Sequence, residues 1–256
     1  MINNILKCIK KAGEIILSAN YHEDNNLHSK SGTANFVTEY DLKVQDFLYK
    51  SLVEVIPDVN FIGEESDTND INKLKQGFSF IIDPIDGTTN FIHNYRYSSI
   101  SVALLKDGEI IFGAVYNPYT DELFHAEKNK GSYLNNQLIK TGSRGLHDGL
   151  VCFGTSPYYR NLADQTFDLL KRLFLNARDI RRSGSAALDL CYIACGRCDV
   201  FFEMILSPWD YAAGSLIISE AGGIITSMSG EPVTLDVSSS VIAANKSAYD
   251  DFMNLI

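Results

Sequence analysis

Three β-rich runs follow one another between residues 99 and 126 with only short turns between them. Residues 99–105, 110–117 and 122–126 are separated by Lys106-Asp-Gly-Glu109 and Asn117-Pro-Tyr-Thr-Asp121, stretches too short to hold a crossover helix. Strands joined in this way pair antiparallel, which argues against a doubly wound parallel sheet. Helical periodicity lies on either side. Ile2, Ile5, Leu6, Ile9, Ala12, Ile15 and Ile16 fall on one helix face, and residues 41–56 repeat the spacing until Pro57 stops it. Residues 21–31 read as a loop or hairpin, 61–62 as a short strand, 67–77 as a polar helix or loop. Residues 78–82 form a strand that breaks at Asp-Pro-Ile-Asp-Gly. The second half alternates strands near 150–154, 200–204, 224–226 and 241–244 with helices over 162–176, from 185, from 209 to the Gly222-Gly223 pair, and over 247–255. Mixed elements without strict alternation predict an α+β fold. No repeat, low-complexity tract or linker divides residues 1–256, so one domain is expected.

With 32 acidic against 22 basic side chains, the formal charge is −10 and the pI near 4.9. Such a field repels nucleic acid and anionic membranes, so neither is expected as a partner held by bulk charge. No apolar run approaches the ~20 residues of a membrane span, and the lysine-studded first helix is not a signal peptide. A cytoplasmic protein is the expectation. The five cysteines are an odd number, and Cys191, Cys195 and Cys198 lack a fourth ligand at zinc-like spacing. They read as small apolar residues of a buried helix and its end. Histidines 22, 28, 93, 125 and 147 form no helical ligand pair.

The chemistry concentrates in Ile81-Ile-Asp-Pro-Ile-Asp-Gly-Thr-Thr-Asn90. A strand delivers Asp83 at its end, Pro84 and Gly87 are expected to force a turn, and Asp86 returns three residues on. Two carboxylates on one rigid turn suit a divalent cation, and hard Mg²⁺ prefers oxygen ligands. Residues 87–89 are expected to open a helix, whose first amides suit a phosphate. A cation site beside an anion site fits a metal-assisted phosphoryl hydrolase. The bland reading is a solvated turn, because Asp, Pro and Gly are common turn residues. The Asp-x-Asp-Gly-Thr signature of haloacid-dehalogenase phosphatases does not fit, since the spacing here is one residue longer. Glu64, in Gly63-Glu-Glu-Ser66, follows a second strand, and Asp210, in Pro208-Trp-Asp210, opens an alanine-rich helix. An acid there also reads as a helix cap, and a tryptophan as a core anchor. The joint occurrence of these acids outweighs their separate structural readings.

Together, Gly63-Glu-Glu-Ser66, Asp83-Pro-Ile-Asp-Gly-Thr-Thr-Asn90 and Trp209-Asp210 resemble the inositol monophosphatase family. Val37-Thr-Glu-Tyr-Asp41, Ser183-Gly-Ser-Ala-Ala187 and Glu220-Ala-Gly-Gly223 fall in that family's order, and the likeness runs from the first helix to Val241-Ile-Ala-Ala-Asn245. The resemblance implies a layered αβαβα sandwich with sub-lobes near 1–145 and 146–256. It implies two to three Mg²⁺ ions. Glu64, Asp83 and the Ile85 carbonyl would hold the first, and Asp83, Asp86 and Asp210 a weaker second. A third would sit by Glu64 through waters. Glu64, Thr88 and Asp41 become the catalytic residues, with Thr88 paired to Asp41 to orient or deprotonate the attacking water. The amides of Gly87 and Thr88 would take the phosphate, while Gly184, Ser185, Ala186, Glu203 and Asp210 would line the substrate. Lys30 stands where the family's Lys-Ser loop approaches the site.

A phosphomonoester resists attack because like charges repel and alkoxide leaves poorly; cations relieve both problems. No covalent enzyme intermediate is required, and no Gly-x-Ser-x-Gly elbow or Cys-His arrangement is present to form one. Three bound Mg²⁺ would bring the formal charge of −10 to about −4. The resemblance further implies a homodimer and inhibition by Li⁺. Among the family's substrates, Asp-Gly-Thr-Thr-Asn-Phe is similar to the inositol phosphatase branch, and Glu203 suits a polyol. Myo-inositol monophosphate is therefore the expected substrate. Fructose 1,6-bisphosphate, histidinol phosphate, NADP and phosphoadenosine phosphate are the alternatives. A regulatory, partner-binding protein that keeps the fold is the rival of another class.

Overall fold

A period of two along the central strands and of 3.6 along the helices sorts the apolar side chains into three separate cores. The computed structural model describes residues 1–19, 27–31, 35–66 and 70–256. Helix α1 (Ile2–Leu17) is followed by a hairpin, β1 (Leu27–Ser31) with β2 (Asn35–Thr38), and by helix α2 (Glu39–Val55). Strands β3 (Asn60–Gly63), β4 (Phe78–Asp86), β5 (Ser99–Lys106), β6 (Glu109–Asn117), β7 (Glu122–Glu127), β8 (Ser132–Leu134) and β9 (Gln137–Ile139) form one sheet in chain order, interrupted after β4 by the short helix α3 (Thr88–Ile92). Only β3 and β4 run parallel in it; the other neighbours are antiparallel hairpins. A second, mixed sheet follows. It is built from β10 (Leu150–Phe153), β11 (Asp179–Arg181), β12 (Val200–Leu206), β13 (Ile224–Thr226) and β14 (Ser239–Ala244), in the order β11-β10-β12-β14-β13. Its helices are α4 (Ala163–Asn176), α5 (Ala186–Ala194), α6 (Pro208–Glu220) and α7 (Lys246–Leu255).

Alternation along the strands assigns the layers. On β4, Phe80 and Ile82 face Ile5, Ile9 and Ile16 of α1 and Val44, Leu48 and Leu52 of α2, while Ile81 faces the other way. On β12, Phe201 points inward to α5 and α6, whereas Val200 and Phe202 point outward to Leu169 and Leu173 of α4 and Phe252 of α7. Each large apolar side chain buried in this way contributes about 1.5–3 kcal/mol. The order is helices, sheet, helices, sheet, helices, the αβαβα sandwich that the family resemblance implies. Helix α6 lies in the middle layer and buries residues all round, from Tyr211 to Ile218. Among the described residues, no helix is long and apolar enough to cross a membrane.

Two sequence expectations need correction. Strand β4 does not break at Asp83 but continues to Asp86, and the irregularity is a bulge: Asp83 pairs with Ser101 and Asp86 with Ser99. Two residues, Pro84 and Ile85, stand against one, Ile100, and Pro84, which has no N–H for the ladder, sits in the bulge. Strands β8, β9 and β11, of three residues each, carry too little periodicity to be read before their neighbours are in place.

Candidate metal and phosphate site

The bulge decides where the carboxylates go. In a regular strand, residues three apart point to opposite faces. The additional residue in β4 turns Asp86 back to the face of Asp83, toward the α5–α6 layer. Because β3 runs parallel to β4, with Gly63 opposite Ile82, Glu64 leaves its strand at the same end, its amide bound to the Ile82 carbonyl at 3.2 Å. From the opposite side, Asp210 enters on the first turn of α6. Its carboxylate accepts the Ser207 amide at 2.7 Å, so it is the third helical residue of the cap rather than the cap itself. Carboxylate oxygens of Asp83, Asp86 and Asp210 come within 4.8 Å of one another.

Each acid is fixed by its own donor. Asp83 accepts the Ile85 amide at 3.0 Å. Asp86 accepts the Ala187 amide at 2.8 Å and the Ser185 hydroxyl. Ser185 caps α5, so the segment 184–187 is locked to the end of β4. Gly87 completes the junction. Its φ is +90°, and a side chain there would meet the Gly184 carbonyl at 2.9 Å. Glu203, on β12, accepts the Ser156 amide at 2.7 Å.

The electrostatics are those of a place that wants a cation. Burial raises Asp83 well above the usual carboxylate range, and the charges of Glu64, Asp86, Asp210 and Asp41 push it further. Asp210 is raised by burial and then by Asp86 and Glu64. Burial pushes Asp86 up to about 6 against the opposing hydrogen bonds of Ser185, Ala187 and Ala186. It pushes Glu203 up to about 7. An all-oxygen donor set in which acids repel one another fits a hard divalent ion.

Of the residues picked from the sequence, Glu64, Asp83, Ile85, Asp86, Gly87, Thr88, Gly184, Ser185, Ala186, Glu203 and Asp210 line one cavity of about 480 Å³. Asp41 does not line it. It is buried behind, where it closes a capping box with Thr38 at the start of α2 and its charge reaches Asp83. The expected pairing of Thr88 with Asp41 is replaced by another: the Thr88 hydroxyl donates to the Ile85 carbonyl at 3.1 Å. Lys30 lies on β1, and its side chain falls outside the described residues. Sequence reasoning missed Tyr158, Arg182 and Asp189, which also line the cavity. Tyr158 follows Pro157 in a loop, and burial, then the charges of the cluster acids, hold its phenol proton on. Asp189 binds the hydroxyls of Ser183 and Tyr97 and is pushed by burial up to about 8. The Ser-Gly-Ser-Ala-Ala segment was a signal for Asp189, three residues past its first alanine. No local signal marked Tyr158.

A carboxylate cluster at the bulged end of a central strand, in a five-layer α+β sandwich, could hold a divalent cation beside a cavity. The profile of the inositol monophosphatase family matches residues 1–255, and the chain belongs to that family. The inositol-1-monophosphatase of Rhizobium meliloti is 38% identical over 243 residues, 94% of this chain and 90% of that protein. The Nus factor SuhB of Vibrio cholerae is 35% identical over 231 residues, 90% of this chain and 86% of that protein. Among solved structures, the extragenic suppressor protein suhB of Bartonella henselae superposes with a TM-score of 0.91 at 34% identity, over 99% of this chain and 97% of that one.

Proposed function

We propose that the protein hydrolyses a small phosphorylated polyol, myo-inositol monophosphate foremost, with Mg²⁺ as cofactor and water as the nucleophile. The observation that carries this reading is the meeting of three carboxylates from β4 and α6 within 4.8 Å, beside a cavity whose far wall carries Glu203. Glu64, Asp83 and the Ile85 carbonyl would hold one ion, and Asp83, Asp86 and Asp210 a second, with a third near Glu64. Bound there, Mg²⁺ would supply charge neutralisation for the phosphate, an acidified water and relief for the departing alkoxide.

The chain's own groups do the rest. Gly87 and Thr88, at the start of α3, line the cavity, and their amides would take the phosphate. Thr88 has committed its proton to Ile85, so its oxygen keeps lone pairs that accept from a water and orient it. Asp41 acts from behind, through α2 and through its charge on Asp83. Glu203 accepts from substrate hydroxyls, and Gly184, Ser185 and Ala186 shape the opposite wall. We extend the reading to a cytoplasmic homodimer inhibited by Li⁺.

A phosphate-release panel with Mg²⁺ over inositol 1-phosphate, fructose 1,6-bisphosphate, histidinol phosphate, NADP and phosphoadenosine phosphate tests it. The highest kcat/KM is expected for inositol 1-phosphate among the monophosphates, and no release from any would sink the proposal. The likeness to a Nus factor supports a second reading, a partner-binding role on the same fold. Full function in cells of a variant that releases no phosphate would favour it.

A further inference from the structure

Away from the carboxylate cluster, two thiols meet that stand 46 positions apart in the sequence: the Cys152 sulfur lies 3.0 Å from that of Cys198. Cys152 is the third residue of β10, and Cys198 closes the turn between α5 and β12. The backbone fixes both. Cys152 is in register with Arg181 of β11 and with Phe201 of β12. The Cys198 amide donates to the Tyr192 carbonyl at 3.1 Å. Its neighbour Asp199 is bound twice to Leu150 of β10, amide to carbonyl at 2.9 Å and carboxylate from amide at 3.0 Å. Sheet and turn therefore impose the contact, rather than two free side chains. Both cysteines are buried, and the hydrogen bond to Cys198, then burial, keeps the proton on Cys152. The turn itself is at the surface: Arg197 is exposed, Cys195 is half-buried, and Gly196 takes a φ of +74°. Opening of that short turn admits a small solute to Cys198. The other thiols are placed differently. Cys8 lies on α1, Cys191 is buried within α5, and Cys195 donates to the Tyr192 carbonyl at 3.6 Å.

We infer that Cys152 and Cys198 form a redox-modification site, a dithiol that hydrogen peroxide converts to a disulfide clamping the end of α5 to β10. This does not depend on the reaction proposed above. An S–S bond is about 2.0 Å long, so the sulfurs have roughly 1 Å to close. The Cys198 sulfur attacks one peroxide oxygen, the O–O bond breaks, and the other oxygen leaves as water with the thiol proton. Cys198 is then a sulfenic acid. The Cys152 sulfur attacks the Cys198 sulfur, the S–O bond breaks, and hydroxide takes the Cys152 proton to leave as a second water. The two thiols together lose two electrons, which the peroxide gains, and a dithiol reductant reverses the change. Joining residues 46 positions apart removes conformations from the unfolded chain. It also ties down the end of α5 opposite Ser185, so the helix opens less often.

The reduced protein is treated with a small molar excess of hydrogen peroxide, then denatured, alkylated, digested and mapped by mass spectrometry. The expected product is one peptide pair joined through Cys152 and Cys198. Free thiols should fall from five to three, and dithiothreitol should restore all five. On oxidation the melting temperature should rise by roughly 5–10 °C, and labelling of Cys191 in mild urea should slow by roughly tenfold or more. Both shifts should vanish in Cys152→Ser and in Cys198→Ala, whereas Cys195→Ser should keep them. The wild-type map decides even where a variant fails to fold. Cys152 and Cys198 still alkylated as free thiols once Cys8 has been oxidised overturn the site, as does a cross-link of Cys198 to Cys195 or Cys191. A cross-linked protein whose melting temperature is unchanged or lower overturns the clamp.

Discussion

At the residue scale, the site is a set of acids held in place by neighbours that cannot neutralise them. Asp83→Asn removes the buried charge on which the other acids press. Phosphate release should drop by roughly a hundredfold or more, while the melting temperature in EDTA rises. A metal-free protein destabilised by this change would contradict the account. Burial of these acids sets a pH dependence. Asp86, Glu203 and Asp189 are pushed up to about 6, 7 and 8, above the range of the unfolded chain. The folded protein thus keeps protons that the unfolded chain has released, and these groups stabilise it least at high pH. In EDTA the melting temperature should fall between about pH 5 and pH 8.5, and Mg²⁺ should flatten the slope by favouring ionised Asp86. A rise across that interval would refute the assignment. Glu64, Asp83, Asp86 and Asp210 were legible in the sequence by type and position, whereas Asp189 was not. Arg182 and Tyr158 were not legible either, because what marks them is the cavity they share with Asp83 and Asp86, far away in the chain.

At the element scale, a one-residue bulge matters more than any regular strand. The Asp-Pro-Ile-Asp spacing was visible, but it reads as a turn until β5 is known to run alongside β4 up to Ser99. Strands β8, β9 and β11 stayed hidden for the same reason: three residues pair only because a sheet edge awaits them. The long amphipathic elements, α1, α2 and β5 to β7, were legible because they repeat their period several times. Helix α2 also carries a testable cap. The Thr38 hydroxyl accepts the amides of Tyr40 and Asp41, and the Thr38 amide donates to the Asp41 carboxylate in return. Thr38→Ala should cost about 1 kcal/mol in urea unfolding, or about 2–4 °C in a chain of this size, and Thr38→Ser should restore it. The cysteines behave as core residues. Cys152 and Cys198 touch at 3.0 Å across buried surface, and burial pushes the Cys191 thiol up. A thiol reagent should label Cys8 and Cys195 in the native protein, and all five only after denaturation. Rapid native labelling of Cys191 would show that α5 opens.

At the scale of the whole molecule, the middle layer joins two sheets of separate chain segments into one unit. Trp209, the single tryptophan, stands at the head of α6, with its carbonyl bound by Ser101 of the first sheet at 3.1 Å. Its fluorescence and the far-UV circular dichroism should therefore lose their native signals at one urea concentration. Separated midpoints would mean that the two sheets melt apart. The α+β class followed from sequence pattern and the five layers from the family resemblance, whereas the site's closure, with β3 and β4 supplying one half and α6 the other, belongs to the tertiary structure alone. The order of synthesis gives this arrangement a consequence. The seven-stranded sheet is complete at Ile139, but α5 and α6, which cover one of its faces, end only at Glu220. On a ribosome adding about 5–20 residues per second, that apolar face waits roughly 4–16 s for its cover. During this interval the nascent chain is an open-faced sheet without its Asp210, exposed to its neighbours on the polysome and short of one carboxylate of the cluster.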